Sequence, residues 1–168
     1  MPRFAAVDVH YPDTGGATAA LVMAAEPVFA VLVAELTVHQ DEVLPYRPGA
    51  FYERELPPLL AAVRAAPGLP DLLVVDGYVT LDPQGRRGLG AHVHHELGIP
   101  VIGVAKSAFR GAQHAIAVYR GTSLKPLHVT AAGLADADAA ALVRAMAGPH
   151  RMPTALTRVD ALSRHPTG

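Results

Sequence analysis

Residues 4–39 read FAAVDVHYPDTGGATAALVMAAEPVFAVLVAELTVH and contain three apolar, partly β-branched segments, at 4–11, 17–25 and 28–39. The turn-forming stretch Asp13-Thr14-Gly15-Gly16 separates the first two segments, and Glu26-Pro27 separates the second from the third. Apolar runs joined by such short turns are typical of consecutive antiparallel strands. This stretch therefore predicts an antiparallel meander of three strands.

Helices and strands alternate in the rest of the chain. Residues 50–66 have helical periodicity, and Pro57-Pro58 is expected to kink this helix or to break it into two pieces. Two apolar runs, 71–76 and 100–105, flank a helix at 87–97, an order that predicts parallel strands. The remaining predicted elements are strands at 114–119 and 124–130, a helix capped by Asp136 that reaches Met146, and a short helix at 153–163.

These elements together predict one domain, residues 1–168, of the α/β class. No internal repeat and no low-complexity linker divides the chain. Three antiparallel strands followed by alternating helices and strands is the order of a ribonuclease-H-like fold, in which helices flank a mixed sheet. The order of the elements does not dictate a chemistry, which has to be argued from the residues of the site.

The composition describes a well-packed globule whose metal ligands, if any, are oxygen or imidazole. Of the 168 residues, 51% are hydrophobic and 17% charged, and there is no cysteine, which excludes disulfides and thiolate metal sites.

The net charge of −1 lacks the basic excess of many nucleic-acid binders, so such a function would need a local basic surface. The N-terminus has no signal-peptide or anchor pattern, so we expect a cytoplasmic protein without membrane contact.

Two acidic residues occupy positions where a carboxylate is costly. Strand alternation sets Val7 and Val9 on one face and Asp8 on the other, in mid-strand, where a bound metal would compensate the charge. Glu55 falls within the apolar stripe of the predicted helix and should point inward. The alternatives are a hydrogen-bonded structural aspartate at position 8 and an exposed helical glutamate at position 55.

Asp76 and Lys106 each end a predicted parallel strand. Parallel strands would deliver both side chains to the same carboxyl edge of the sheet, where open α/β sheets bind ligands. The alternatives are a simple turn at Asp76-Gly77 and a solvated lysine. Three carboxylates and a lysine converging on one rim would suit Mg²⁺, which could activate water and neutralise the leaving oxygen of a phosphodiester.

Several local motifs carry a resemblance to a known family. They are Pro45-Tyr46-Arg47-Pro48-Gly49, with Arg54-Glu55 and Leu59-Leu60 downstream; Val75-Asp76-Gly77; Ile102-Gly103-Val104-Ala105-Lys106-Ser107; Tyr119-Arg120-Gly121-Thr122-Ser123-Leu124-Lys125-Pro126; and Arg151-Met152-Pro153. In sequence and spacing these motifs resemble the endonuclease V family, over nearly the whole chain from Phe4 to Asp160.

The resemblance implies an endonuclease dependent on Mg²⁺, or on Mn²⁺, that recognises inosine or hypoxanthine in DNA or RNA and cuts one bond beyond it on the 3′ side. It implies Asp8, Glu55, Asp76 and Asp160 as metal ligands, with Lys106 as an active-site lysine. Tyr46 matches the wedge that fills the space left by an extruded base, a role that suits a stacking ring; its alternative is a plain surface tyrosine. We further expect nucleic-acid or base contacts at Pro48, Gly49, Gly77, Asp82, Arg86 and Arg87; the alternative for the two arginines is a solvated, charged helix start.

The chain departs from the family pattern at several places. It lacks the helical segment that precedes the first strand in full-length members. Asp82-Pro83 replaces a His-Pro pair, so a carboxylate stands where the family has an imidazole. Tyr78 and Val79 follow the Val-Asp-Gly motif where the family has a glycine at the second of these positions, and Val79 is expected to crowd the pocket for the base. Ala132-Gly133 replaces a Gly-His pair.

Other interpretations stay open. His92 and Glu96 could share a helix face as zinc ligands beside His94 and His95, although the spacing matches no familiar closed zinc site and His92 also matches a family histidine. The chain could be a related nuclease with a different substrate, or a catalytically silent nucleic-acid-binding domain. In each case we expect a monomer without an organic cofactor. The residues do not discriminate between DNA and RNA.

Overall fold

The protein, described by a computed structural model over residues 2–166, is built on one sheet of seven strands. The strands are β1 (Phe4–His10), β2 (Ala17–Ala24), β3 (Leu32–Gln40), β4 (Leu72–Asp76), β5 (Val101–Ala105), β6 (Ile116–Val118) and β7 (Leu127–Ala132). They lie in the order β3-β2-β1-β4-β5-β7-β6. The first three pair antiparallel, β1-β4 and β4-β5 pair parallel, and β7 pairs antiparallel with β5 and β6. The predicted mixed sheet is confirmed.

Four helices cover the two faces of this sheet: α1 (Phe51–Ala65), α2 (Leu89–Leu97), α3 (Asp136–Ala145) and α4 (Thr154–Arg164). Leu59 of α1 and Val93 of α2 are buried with Val7 on one face, whereas Ala6 is buried with Val159 of α4 on the other. The strand alternation predicted for β1 is therefore confirmed. No helix within residues 2–166 combines the length and the apolar character needed to cross a bilayer.

The helix α1 continues through Pro57 and Pro58 as one element. The prediction that these prolines could break it into two pieces is wrong. A proline lacks only its own amide hydrogen, so the helix loses two backbone hydrogen bonds at this point. The turns that follow remain anchored, because Leu59, Leu60 and Val63 are buried against the sheet.

Local hydrogen bonds shift two predicted strand starts toward the C-terminus. The strand β3 begins at Leu32 rather than at residue 28, because the Glu26 carboxylate accepts hydrogen bonds from the amides of Val28 (3.0 Å) and Ala30 (2.6 Å) and holds this stretch in a turn. The strand β7 begins at Leu127 rather than at residue 124. A turn held by the Ser123 hydroxyl, which accepts from the Lys125 amide at 3.1 Å, precedes it.

Asp136 does not cap α3 as predicted. It is the first residue of the helix, the N-cap position is Ala135, and no side-chain cap hydrogen bond forms. Instead, Asp136 Oδ1 accepts a hydrogen bond from the Ala131 amide at 2.9 Å. The carboxylate is used to tie the end of β7 to the start of α3.

Candidate active site

Three neighbouring parallel strands bring Asp8, Asp76 and Lys106 to one edge of the sheet. Val7 pairs with Val75, which sets Asp8 beside Asp76, and Lys106 directly follows the last residue of β5. Together with Asp160 of α4, these side chains line a small pocket of about 20 Å³. Four of the predicted site residues, from four separate elements, therefore share one cavity.

The carboxyl groups of Asp8 and Asp160 lie close to each other in this pocket. Burial, the neighbouring Asp76 and the contact with Asp160 raise the pKa of Asp8 to about 7, against an opposing hydrogen bond from the Val9 amide at 2.9 Å. Burial acts upward on Asp160 as well, but hydrogen bonds from Arg164 and Asp8 leave the pKa of Asp160 below its usual value. Asp8 therefore keeps its proton to a higher pH than Asp160 does.

Glu55 reaches the same charge cluster from α1, on the other face of the sheet. Burial, followed by the negative charges of Asp8 and Asp76, raises the pKa of Glu55 to about 8, while Arg54 opposes this shift. As predicted, the side chain points inward. Glu55 does not line the small pocket, but its charge interacts with those of Asp8 and Asp76.

Asp76 lies at the centre of the cluster. Burial raises its pKa, Lys106 lowers it, and Asp160 raises it further. Lys106 is therefore the positive charge that opposes the effect of burial on the pKa of Asp76, as Arg164 does for Asp160 and Arg54 for Glu55.

The donor atoms at this edge have the chemistry that a hard divalent cation prefers. They are carboxylate oxygens, they are desolvated, and two of them have pKa values raised to about 7 and about 8, as expected for acids that lack a compensating positive charge. Over residues 2–166, however, no three acidic or histidine side chains are arranged as a ready-made metal cluster. Asp160 Oδ1 accepts a hydrogen bond from Arg164 Nε at 3.1 Å.

Tyr11 and Arg54 stand beside Glu55, and sequence reasoning missed both. The Arg54 guanidinium carbon lies 3.8 Å from the centre of the Tyr11 ring, a cation–π contact. Burial and the charge of Glu55 raise the pKa of Tyr11. Within the described residues, the Tyr11 hydroxyl and Arg54 Nε are buried without a hydrogen-bond partner. The available signal was their proximity in sequence to Asp8 and Glu55.

A second, larger cavity of about 360 Å³ adjoins the acidic pocket, and Asp76 lines both. Its walls combine aromatic and aliphatic side chains with arginines and glycine backbone: Gly49, Phe51, Tyr52, Asp76, Gly77, Tyr78, Leu81, Arg86, Arg87, Gly88, Leu89 and Phe109. Four residues predicted to contact nucleic acid or base, Gly49, Gly77, Arg86 and Arg87, are among them. Gly77 has a φ of 103°, a conformation that glycine adopts without strain.

Tyr46 and Pro48 do not line this cavity. Tyr46 lies at its rim, where its ring makes an edge contact with Phe51 at 6.3 Å between centroids and stays 58% exposed. An exposed ring beside an aromatic cavity is compatible with the predicted wedge. Pro48 belongs to the same exposed loop before α1.

Comparison with known proteins decides the family. The profile of the family described as Endonuclease V matches residues 1–161. The chain belongs to the endonuclease V family. An endonuclease V from Streptomyces avermitilis is 32% identical over 182 residues, which cover 96% of this chain and 79% of the relative.

Solved endonuclease V structures share the fold. The crystal structure of the Streptomyces avermitilis protein has a TM-score of 0.78 at 33% identity, over 97% of this chain and 80% of that one. The Ciona intestinalis endonuclease V, in complex with a 24mer DNA containing an inosine followed by a ribo-adenosine, has a TM-score of 0.81. At 21% identity over 96% of this chain and 84% of that one, this likeness concerns the fold alone. The resemblance drawn from the motifs is confirmed.

Val79, one of the departures from the endonuclease V pattern, has a different structural role from the one predicted. Val79 was expected to crowd the base pocket, but its side chain is fully buried in the core with Val93 and contacts the backbone of α2 at Gly90. The prediction is wrong because the chain turns after Gly77, so that Tyr78 faces the cavity and Val79 faces inward. The Tyr78 hydroxyl donates to the Ser107 carbonyl at 2.7 Å, which fixes the ring as a cavity wall.

Asp82, at the position of the endonuclease V histidine, lines neither cavity. Its Oδ1 accepts a hydrogen bond from the Arg86 amide at 3.0 Å, and its carbonyl accepts one from the Gly85 amide at 3.1 Å. The side chain shapes the turn that presents Arg86 and Arg87. The expected base contact by Asp82 has no support from this geometry.

The histidine-rich helix α2 does not form a zinc site within the described residues. The His92 ring stacks on Tyr52, with 3.7 Å between centroids and 14° between planes, and His94 Nδ1 hydrogen-bonds the Ile99 carbonyl at 2.6 Å. His92 therefore supports the Tyr52 ring that lines the large cavity. The alternative of a zinc site at His92 and Glu96 gains no support from this geometry.

Proposed function

We propose that the protein is an endonuclease that cuts a phosphodiester bond on the 3′ side of a deaminated purine, inosine or hypoxanthine, in DNA or RNA. The observation that carries the proposal is the junction of the two cavities at Asp76, where an acidic pocket meets an aromatic one. Membership of the endonuclease V family supports it, as does the inosine-containing DNA in the Ciona intestinalis complex.

Mg²⁺, with Mn²⁺ as a possible replacement, is the proposed cofactor, with Asp8, Glu55, Asp76 and Asp160 as its ligands. When bound, such an ion supplies an activated water and neutralises charge on the leaving oxygen. The raised pKa values of Asp8, Glu55 and Asp76 support this assignment, because burial and mutual repulsion leave these acids short of positive charge.

Lys106 is proposed to hold the scissile phosphate. Its ammonium group is a mobile point charge with three donors, and it borders the acidic pocket beside Asp76. A phosphate oxygen bound there would be stabilised as negative charge develops on it during cleavage. Lys106 would then orient the phosphate while the carboxylates hold the cofactor.

The aromatic cavity is proposed to receive the extruded base. An enzyme that acts next to a modified base can take that base out of the stack and pack it between aromatic side chains. The cavity offers Tyr52, Tyr78 and Phe109 for such contacts, with Gly77 backbone close by. Tyr46 at the rim would occupy the gap in the strand, and Arg86 and Arg87 would contact phosphates.

A second candidate function is the same cleavage with a different base specificity, and the position of the Tyr78 ring favours it. This ring forms a wall of the cavity and is held in place by Ser107, so it narrows the space for a base. The second candidate keeps the same cleavage chemistry and changes the accepted base or nucleic-acid structure. Cut-site profiling on a mixture of damaged and structured nucleic acids distinguishes it from the first.

The decisive experiment is a nicking assay on matched oligonucleotides. Inosine-containing DNA and RNA, and the same strands with adenosine, are incubated with Mg²⁺ or Mn²⁺, using the wild type and Asp76→Asn. Asp138→Asn is the matched control, because it neutralises an exposed aspartate on α3 far from the site. We expect nicking only beyond inosine, its loss in Asp76→Asn and its retention in Asp138→Asn. Absence of nicking by the wild type, or equal nicking by Asp76→Asn, contradicts the proposal.

A further inference from the structure

Arg151 belongs to a motif, Arg151-Met152-Pro153, to which the proposed function assigns no role. Its guanidinium donates three hydrogen bonds to backbone carbonyls: Nη2 to Lys106 at 2.5 Å and to Pro126 at 2.8 Å, and Nε to Lys125 at 3.0 Å. One planar group thus joins the segment that follows β5 to the segment that precedes β7. The first of these segments borders the acidic pocket at Lys106.

The location of Arg151 links these two segments to a third element of the site. Met152 lines the acidic pocket, Pro153 occupies the N-cap position of α4, and α4 carries Asp160. The guanidinium therefore connects the backbone of Lys106 to the start of the helix that presents Asp160. Lys106 itself lies beyond the last residue of β5, so the ladder between β5 and β7, whose last pair is Ala105 with His128, does not hold it.

We propose that Arg151 is a positioning residue for Lys106: it fixes the lysine backbone, and so the origin of the flexible side chain, relative to Asp76 and Asp160. A lysine ammonium on a four-carbon stem reaches a phosphate reproducibly only if its Cα is held. The inference rests on the proposed function in one respect, namely that Lys106 acts on the phosphate. The claim that Arg151 orders Lys106 can be tested without cleavage.

Arg151 holds the three carbonyls through the planar geometry of its guanidinium rather than through its charge. The guanidinium has five donors in a fixed plane and can serve three carbonyls at once, whereas an ammonium group has no such fork. Arg151→Lys keeps the charge and loses the planar fork, and Arg151→Met loses both. Arg144→Ala is the matched control, because it removes an exposed arginine of α3.

The kinetic test measures single-turnover cleavage of inosine-containing DNA at saturating protein, together with the half-saturating protein concentration. We expect Arg151→Met to lower the rate constant by about 100-fold, the cost of a catalytic group displaced by about 1 Å. The half-saturating concentration should change less than about threefold, and Arg144→Ala should behave like the wild type. Arg151→Lys should fall between the wild type and Arg151→Met.

A second readout observes Lys106 directly, because Lys106 and Lys125 are the only lysines in the chain. Protein labelled with ¹³C at lysine Cε gives two lysine signals, assigned with Lys125→Arg. In the metal-free wild type, we expect restricted motion of the Lys106 methylene group by nuclear relaxation. In Arg151→Met and Arg151→Lys, the signal should move toward the position of free lysine and the motion should increase, while circular dichroism remains that of the wild type.

The outcomes separate this inference from the proposed function. If the wild type does not nick inosine-containing strands, the proposed function fails, and the relaxation of Lys106 still decides whether Arg151 orders the lysine. If the wild type nicks and Arg151→Met cleaves within threefold of its rate, the inference is overturned. A slowed Arg151→Met protein with an unchanged Lys106 signal overturns it as well.

Discussion

Asp160, on the last helix, lies beside Asp8, in the first strand, and this contact adds to burial, which is the main cause of the raised pKa of Asp8. The two residues lie at opposite ends of the chain, so the acidic pocket is complete only when α4 packs against β1. The pKa of Asp8 is raised and that of Asp160 is lowered, so Asp160 ionises at a lower pH than Asp8.

The metal-free protein should lose stability as the pH rises. The pKa of Asp8 is raised from 3.8 to about 7 and that of Glu55 from 4.5 to about 8, mainly by burial. The folded state therefore binds these protons more tightly than the unfolded state, so their contribution is fully present below pH 4 and is lost as the pH passes through 7 to 8. Thermal unfolding in a chelating buffer at pH 5 and at pH 8.5 measures the difference.

The isosteric variants Asp8→Asn and Glu55→Gln are the controls for that pH dependence. Neither can ionise, so each should unfold about 3 °C or more above the wild type at pH 8.5 in chelator, and should show a flatter pH dependence. A wild-type protein as stable at pH 8.5 as at pH 5, with no gain in either variant, would contradict the assignment of these buried acids.

Binding of Mg²⁺ should strengthen as the pH rises from 6 to 9. A divalent ion competes with the protons on Asp8 and Glu55, whose pKa values of about 7 and about 8 place both protons in this range. Calorimetric titration with MgCl₂ should show tighter binding, and less proton release, at pH 9 than at pH 6. Affinity independent of pH, or retained in Asp8→Asn, would argue against a site at these carboxyls.

Arg120 should contribute strongly to stability without acting in the site. Its buried guanidinium donates to the carbonyls of Val143, Arg144, Met146, Gly148 and His150, at and beyond the C-terminus of α3. Removing it takes one donor from each of these five carbonyls, so Arg120→Ala should lower the free energy of unfolding by about 3 kcal/mol or more. Urea denaturation measures the loss.

Arg158→Ala is the comparison for Arg120. Arg158 forms an exposed ion pair with Glu35, with 2.6 Å between Nη2 and Oε1, and water screens such pairs. The urea midpoint of Arg158→Ala should match that of the wild type. Equal midpoints for Arg120→Ala and Arg158→Ala would show that the carbonyl contacts of Arg120 do not stabilise the fold.

Tyr78 should control base recognition, whereas Val79 should not. Tyr78→Ala removes an aromatic wall of the large cavity, so the half-saturating concentration of protein on inosine-containing DNA should rise about tenfold, the equivalent of one weak stacking contact. Tyr78→Phe should bind almost as the wild type does. Nicking measured over a concentration series on inosine-containing and adenosine-containing strands provides the comparison.

The matched variant at the neighbouring position is Val79→Ala. Val79 is fully buried in the core, so this change should lower the free energy of unfolding by about 2 kcal/mol and leave base preference unchanged. A shift in base preference with Val79→Ala, and none with Tyr78→Ala, would reverse the orientation assigned to these two side chains.

The sequence by itself determined the strand meander, the parallel strands after it and the family, because these depend on local properties. Alternation along β1 is set by the two-residue period of a strand, and it predicted the face of Asp8. Asp76 and Lys106 could be assigned to one edge because parallel strands end on the same side. The helical period predicted the inward direction of Glu55 despite the two prolines.

Only the tertiary structure decided how these side chains affect one another. The contact between Asp8 and Asp160, the cation–π contact of Arg54 with Tyr11 and the hydrogen bonds from Arg151 to three carbonyls each join segments that are distant in sequence. The side chain of Tyr78 faces the cavity and that of Val79 faces the core, although Val79 was expected to crowd the base pocket. These directions also depend on packing, because the turn after Gly77 has no regular period. Burial and charge interactions depend on distances through space, which periodicity along the chain does not contain.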